Sequence, residues 1–463
     1  MVSSMALLPA GVQGGVAAWG GLAEFRLAWY RCLGRWADAL FELTDAVLCA
    51  GGPVGSLPRL SLEPVCRRGH GSVYAALAGG QIDAAAVADL LAACRPRSWP
   101  LVFAVDATTW PRAAAETSPG RGLYYHPSRQ TRGKPVVPGW CYQLVSQLNF
   151  GRDSWTWPAG ARRIPARADA AMATVAQVRD VLARLGGSGD VPLFVFDAGS
   201  SYDPAWLTHE LAGGPAQLLV RLRKNRVLFG DPPPRGPHTS GRPRRHGAAF
   251  DLKDPASWGP PDARLVTQDP VYGTVTVRGW AGRHPRLARR GRWASCSPAP
   301  IVRGWVLHVQ VTSQPKRRDV PGTMWLWWSG PAGTVPDLDL CRRAYLHRFD
   351  IEHTIRFAKS TLGWTIPALR TPEQADRWTT LITAAYAQLA LARPLAADHR
   401  LPWERPRDPG QLSPGRIRRD FPRLRAALPP VANPRKPFGT GPGRPKGRPG
   451  RHAKRHPVIK KAA

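Results

Sequence analysis

Apolar positions recur with helical spacing near the start of the chain. Phe25, Trp29, Cys32, Trp36, Leu40, Leu43 and Val47 fall three or four residues apart, which predicts helix over residues 18–50 with one face packed inward. Gly51-Gly52-Pro53 stops it. A second helix is predicted from Ile82 to Cys94, so residues 1–98 read as a helical N-terminal domain. The pattern then changes. Leu101-Val-Phe-Ala-Val-Asp106 is an apolar run closed by an acid, a buried strand with Asp106 at its C-terminal end. Strand candidates follow at Tyr142–Phe150 and Ser154–Trp157, then a helix from Ala168 to Leu185. Leu193-Phe-Val-Phe-Asp197 repeats the run that ends in an acid. A helix at Pro204–Leu211 and a strand at Gln217–Leu222 complete an α/β layout.

Beyond residue 224 the texture is different. Arg235–Arg245 is a Pro/Gly/basic loop, and Thr274–Val277, Trp305–Val311 and Met324–Trp328 read as strands of a β-rich insertion over 224–335. Helical sequence resumes at Leu338 and runs to about Lys359, with another helix over Pro372–Ala392. The α/β core is therefore expected in two parts, 99–223 and 336–400, followed by a basic, Pro/Gly-rich tail over 401–463. From Phe421 onward there are twelve Lys/Arg and no acid, so this tail is expected to be disordered.

Charge narrows the function classes. The chain of 463 residues carries 65 Lys+Arg against 32 Asp+Glu, a formal net charge of +33. Such an excess attracts polyanions, which makes nucleic acid the leading partner and argues against a metabolic enzyme for acidic substrates. Seven Cys without any C-x-x-C pair fit a reducing, cytoplasmic setting and no disulfide scaffold. No run of 18 apolar residues predicts a membrane span, and the first twenty residues lack the basic region of a secretory signal.

Candidate chemistry begins with the two strand-end acids. In α/β sheets the C-terminal strand ends face the ligand crevice, so Asp106 and Asp197 could converge. Two close carboxylates repel unless a proton or cation lies between them, and their hard oxygens suit Mg²⁺ or Mn²⁺. The plainer alternative is two ordinary turn residues. A third acid lies in the helix predicted across Tyr345–Lys359. On one straight helix at about 100° per residue, Tyr345, Arg348, Glu352 and Lys359 share an arc of about 60°. The alternative for that face is a solvated salt bridge between Arg348 and Glu352.

The spacing Tyr345-x2-Arg348-x3-Glu352-x6-Lys359 resembles the signature of DDE-type insertion-sequence transposases of the cut-and-paste branch. Val105-Asp106-Ala-Thr-Thr109 and Phe196-Asp197-Ala-Gly199 look like the two motifs that carry the first acids of their triad. The chain departs from the compact Asp-Ala-Gly-Tyr-Asp turn of that family, because two Ser intervene before Tyr202-Asp203. Asp203 therefore stays an alternative second ligand, with Asp197 preferred because it ends the apolar run.

The resemblance implies a ribonuclease-H-like core interrupted by the insertion. It implies that Asp106, Asp197 and Glu352 hold two Mg²⁺ (or Mn²⁺) about 3.5–4 Å apart. One ion would activate the water that cuts the transposon end, the other would stabilise the leaving 3′ oxygen, and the freed 3′-OH would attack target DNA. No organic cofactor is implied. Arg348 and Lys359 would contact phosphates near the cut, and Tyr345 a phosphate or base. Partners would be double-stranded DNA, transposon ends and target, with a homodimer on DNA and no membrane. Trp325, Trp327 and Trp328 of the insertion are candidates for holding a flipped base, or else sheet core. Gly443-Arg444-Pro445 with Arg448 resembles an AT-hook that lays Arg into the minor groove, or is a plain polycation. Two alternatives stand beside an active transposase: a catalytically inactive DNA-binding descendant, and a ribonuclease-H-like nuclease without strand transfer.

Overall fold

The computed structural model describes residues 16–125, 136–151, 153–186, 189–199, 202–236, 241–270, 272–312, 322–435 and 453–460. The chain divides into two compact units. One comprises Met1–Trp99, Ala107–Ala168 and Asp350–Ala463; the other comprises Pro100–Asp106 and Asp169–Phe349.

Five helices come first: α1 (Val16–Arg31), α2 (Ala37–Cys49), α3 (Leu57–Leu60), α4 (His70–Gly79) and α5 (Ala84–Ala93). The single helix expected over 18–50 is thus two. The break falls at Trp36, whose φ of 66° is left-handed, a conformation that costs a bulky residue roughly 1–2 kcal/mol. The loop before α5 takes up the backbone groups freed there: Gly34 N–H donates to Gln81 O and Asp83 N–H to Cys32 O. Asp83 then caps α5 by accepting from the Ala85 and Ala86 N–H groups.

Strand β1 (Val102–Pro111) passes through both units, because the boundary falls at Asp106. Asp106 is therefore interior to the strand, not at its end as expected from the apolar run. The β-branched and aromatic residues Thr108, Thr109 and Trp110 carry the extended conformation onward. In the first unit β1 continues beside β3 (Val136–Leu148), which also pairs with β2 (Gly122–Tyr125) and β4 (Thr156–Ile164).

The second unit holds α6 (Ala170–Leu185), β5 (Leu193–Phe196), α7 (Pro204–Glu210), β6 (Gln217–Leu222) and a small hairpin, β7 (Val227–Phe229) with β8 (Ala249–Asp251). Next come β9 (Ala263–Asp269), β10 (Gly273–Arg283), β11 (Gly304–Val311), β12 (Thr323–Ser329) and α8 (Leu338–His347). Its mixed sheet runs β1-β5-β6-β12-β11-β10-β9. The first three strands are parallel and the rest antiparallel. The β-rich stretch thus extends the sheet of the two aspartates through the β6–β12 pair, while only β7 and β8 stand apart. The fold is mixed α/β with a large central mixed sheet.

The helix expected over 338–359 is also two, α8 and α9 (Asp350–Ser360). Arg348 ends α8, and its N–H bonds to Tyr345 O, an i−3 contact that tightens the last turn. The shared 60° arc assumed one straight helix and does not carry across this break. Gly363, at φ +69°, turns the chain after α9; a Cβ there would sit 2.7 Å from Val54. α10 (Pro372–Leu391) opens on a capping box made by Thr371 and Gln374.

The segment expected as tail contains α11 (Pro414–Ala427). This helix buries Ile417, Phe421 and Leu424, and Arg418 Nε donates to Val47 O at the end of α2. Further on, Ile459 bridges to Gly122 of β2, and Arg121 Nη2 donates to His456 O. Arg444 and Arg448 lie outside the described residues. Among the described residues, no helix is long and apolar enough to cross a membrane.

Candidate active site

The register of the parallel strands brings two acids together. Val105 of β1 pairs with Phe196 of β5, so Asp106 and Asp197 are the next residues on adjacent strands. Both side chains stay partly open, 23% and 37% exposed. Arg348, at the end of α8 and nearly buried, reaches both: Nη1 lies 3.9 Å from Asp106 Oδ2 and Nη2 lies 3.6 Å from Asp197 Oδ2. These separations are ion pairs without a direct hydrogen bond.

Asp197 has two further partners. The Tyr345 hydroxyl donates to Asp197 Oδ1 at 3.1 Å. Burial first, and the Asp197 carboxylate second, push the Tyr345 hydroxyl up to about 12, so it remains a donor at neutral pH. Arg221 Nη1 lies 3.6 Å from the same oxygen. Register explains this too, because Phe196 pairs with Val220 on β6 and Arg221 is one residue further on. The sequence reading passes over Arg221, although a cation in the apolar run Gln217-Leu-Leu-Val-Arg-Leu222 is a visible signal. Asp203, the alternative second ligand, is otherwise engaged: its carboxylate caps α7 through Trp206 N–H at 2.8 Å.

Glu352 and Lys359 belong to the other unit. Glu352 sits half-buried in the first turn of α9. That helix buries Ile351, Thr354, Ile355 and Ala358, and Thr354 Oγ1 lies 2.8 Å from Thr156 Oγ1 of β4. Lys359, two turns past Glu352, donates from Nζ to Thr108 Oγ1 at 2.6 Å and to Thr109 O at 2.9 Å. It is thus tied to the second half of β1, two and three residues beyond Asp106.

The three insertion tryptophans are core residues of β12. Trp325, Trp327 and Trp328 are 3%, 0% and 2% exposed. Trp327 Nε1 donates to Thr208 Oγ1, Trp328 Nε1 donates to Gln217 Oε1, and Trp325 lies against His308 with ring centroids 4.3 Å apart.

Two hard carboxylates that already share one cation can hold a divalent ion, and the arginines around them can hold an anionic phosphate. No curated protein matches the chain. The model of the DDE superfamily endonuclease family matches residues 28–284, a span that includes Asp106 and Asp197 and ends before Glu352. With more than half of its length matched, and two acids meeting on adjacent parallel strands of a mixed sheet, the chain belongs to the DDE superfamily endonucleases.

Proposed function

We propose that this chain is a DNA transposase of the Tyr-Arg-Glu-Lys branch, which cuts the ends of a mobile element and joins them to target DNA. One observation carries the reading furthest: Asp106 and Asp197 converge on the single guanidinium of Arg348. Divalent metals are usual in the family, and Asp106, Asp197 and Glu352 are the proposed ligands of two Mg²⁺ or Mn²⁺ ions. The donor types fit, since carboxylate oxygens are hard, and Asp106 and Asp197 are partly exposed and share the positive charge of Arg348. Bound there, such ions supply water activation and stabilisation of a departing 3′ oxygen.

The chain's own side chains do the rest. Arg348 carries a planar fork suited to the oxygens of the phosphate being cut. Tyr345 donates to Asp197 and fixes its orientation. Lys359 steadies the strand that bears Asp106 through Thr108 and Thr109, and its expected phosphate contact is the weaker of its two proposed roles. The basic tail, with Arg444 and Arg448, is the proposed second DNA contact, and a homodimer on DNA the proposed assembly.

The test uses the protein, Mg²⁺ and a duplex that carries the inverted repeats flanking the gene. The expected products are cut ends and ends joined to target DNA, both absent for Asp106→Asn, Asp197→Asn and Glu352→Gln. Cut ends without joined products reduce the reading to a nuclease. A wild-type protein that binds the ends and never cuts them favours the catalytically inactive alternative.

A further inference from the structure

Beside Asp197, Ala198 and Gly199 after β5, Tyr202 and Pro204 before and in α7, and the corner between β6 and β7 line an open cavity of about 160 Å³. Among the described residues, its lining includes Arg221, Arg223 and Arg226 with Gly199 and Tyr202, and no acid. Arg221 is the penultimate residue of β6, and Arg223 and Arg226 lie on the exposed corner that follows. Two acids lie close by, and both are engaged. Asp197 is shared among Arg221, Arg348 and Tyr345, and Asp203 caps α7.

Three guanidiniums around one cavity repel each other, and an anion with several oxygens relieves that repulsion. Arginine forks match phosphate oxygens in particular. The cavity begins one residue after Asp197, so an anion inside it sits next to the proposed cutting site. Its one aromatic, Tyr202, is 6% exposed and packs against Phe196 at 5.2 Å. It offers no open ring on which a base could stack, so recognition falls to the backbone.

We propose that this cavity is a phosphodiester subsite in which Arg221, Arg223 and Arg226 grip a backbone phosphate of the DNA strand beside the bond to be cut. The proposal rests on the nuclease reading of Asp106 and Asp197, and it is sequence-independent.

The test measures binding of the full chain to a random-sequence duplex in EDTA across a salt series. Arg223→Gln/Arg226→Gln removes two of the three cations and leaves Arg221 beside Asp197. Losing two phosphate contacts should reduce the slope of log K against log[salt] by about 1.8, and weaken binding roughly 60-fold at 0.1 M salt relative to the 1 M limit. Arg223→Lys/Arg226→Lys should restore most of the slope. The same double change on α6, Arg179→Gln/Arg184→Gln, should leave it unaltered. An unchanged slope in the corner variant, or an equal loss in the α6 control, overturns the proposal. So does calorimetric binding of inorganic phosphate that the corner variant loses while its DNA slope stays at the wild-type value, since the cavity would then serve a free anion. Binding is read without cleavage. A wild-type protein that never cuts DNA yet shows the slope difference refutes the nuclease reading alone, whereas an unchanged slope in a protein that cuts refutes the subsite alone.

Discussion

Two arginine–carboxylate clusters in this molecule have the same chemistry and opposite character. Between α1 and α2, Arg26 meets Asp45 through two hydrogen bonds of 2.7 and 2.9 Å, with both side chains 1% exposed. Gln388 of α10 and Arg425 of α11 complete that cluster at 2.7 and 2.6 Å. At Asp106 and Asp197 the arginines stand off at 3.6–3.9 Å and the carboxylates remain partly open. The first cluster has its strongest interactions satisfied inside the protein, so its value is structural. The second is partly exposed, and its ion pairs are long enough for a ligand to displace. Short, buried contacts therefore mark architecture here, and longer, half-open ones mark chemistry.

The largest effect that could break this contrast is catalytic. Asp106→Asn or Asp197→Asn should lower cleavage of an end duplex in Mg²⁺ about 10⁴-fold, roughly 5.5 kcal/mol of transition-state stabilisation. Binding of the same duplex should persist, because Arg348 and Arg221 remain. A gel assay of both variants checks it, and near-wild-type cleavage by either removes that residue from the site. Asp45→Ala should do the reverse. It strands Arg26 in the interior, which costs about 3–5 kcal/mol and appears as a lower denaturation midpoint. A variant of normal stability would show that the buried cluster is not what holds these helices.

Arg348 sharpens the contrast further. If its guanidinium is a displaceable neighbour of the two acids, Arg348→Ala should raise the affinity for Mn²⁺ about 30-fold, measured by calorimetry or electron paramagnetic resonance. The gain corresponds to removing one positive charge from beside a divalent ion in a well-screened site, about 2 kcal/mol, twice the value for two unit charges. An unchanged Mn²⁺ affinity would mean that the two acids do not form the metal site.

How far each of these features is legible in the sequence depends on how local it is. Strand β5 is legible because Leu193–Phe196 is an unbroken apolar run between turn residues, and α10 because Pro372 and the Thr371–Gln374 box mark its start. The helix break at Trp36 is not, since nothing about a tryptophan announces a left-handed φ. Strand β9 escapes because Ala263–Asp269 places polar residues on an exposed edge. The aspartates stand out as acids closing apolar runs, although β1 continues past Asp106. Arg221 is marked locally only as a cation within an apolar run; that it faces Asp197 follows from the register of β5 on β6, which joins residues 24 apart in sequence. The break after Arg348 is hidden because 338–359 is continuously helix-compatible in sequence.

The smallest effect concerns Lys359, where contact length and the expected role disagree. A phosphate-binding lysine should keep its ammonium open, yet Lys359 bonds Thr108 and Thr109 at 2.6 and 2.9 Å. By the contrast between the two clusters it is architectural and acts by holding β1. Lys359→Gln should then lower stability by about 1–2 kcal/mol, the range for a charge-assisted bond and one neutral partner lost. The salt slope of DNA binding should stay at the wild-type value. If Lys359 instead contacts a phosphate, the slope should fall by about 0.9 with little change in stability. A denaturant melt and a salt titration on one preparation separate the two. A variant that loses slope and keeps its stability would show that contact length does not tell structural cations from functional ones in this protein.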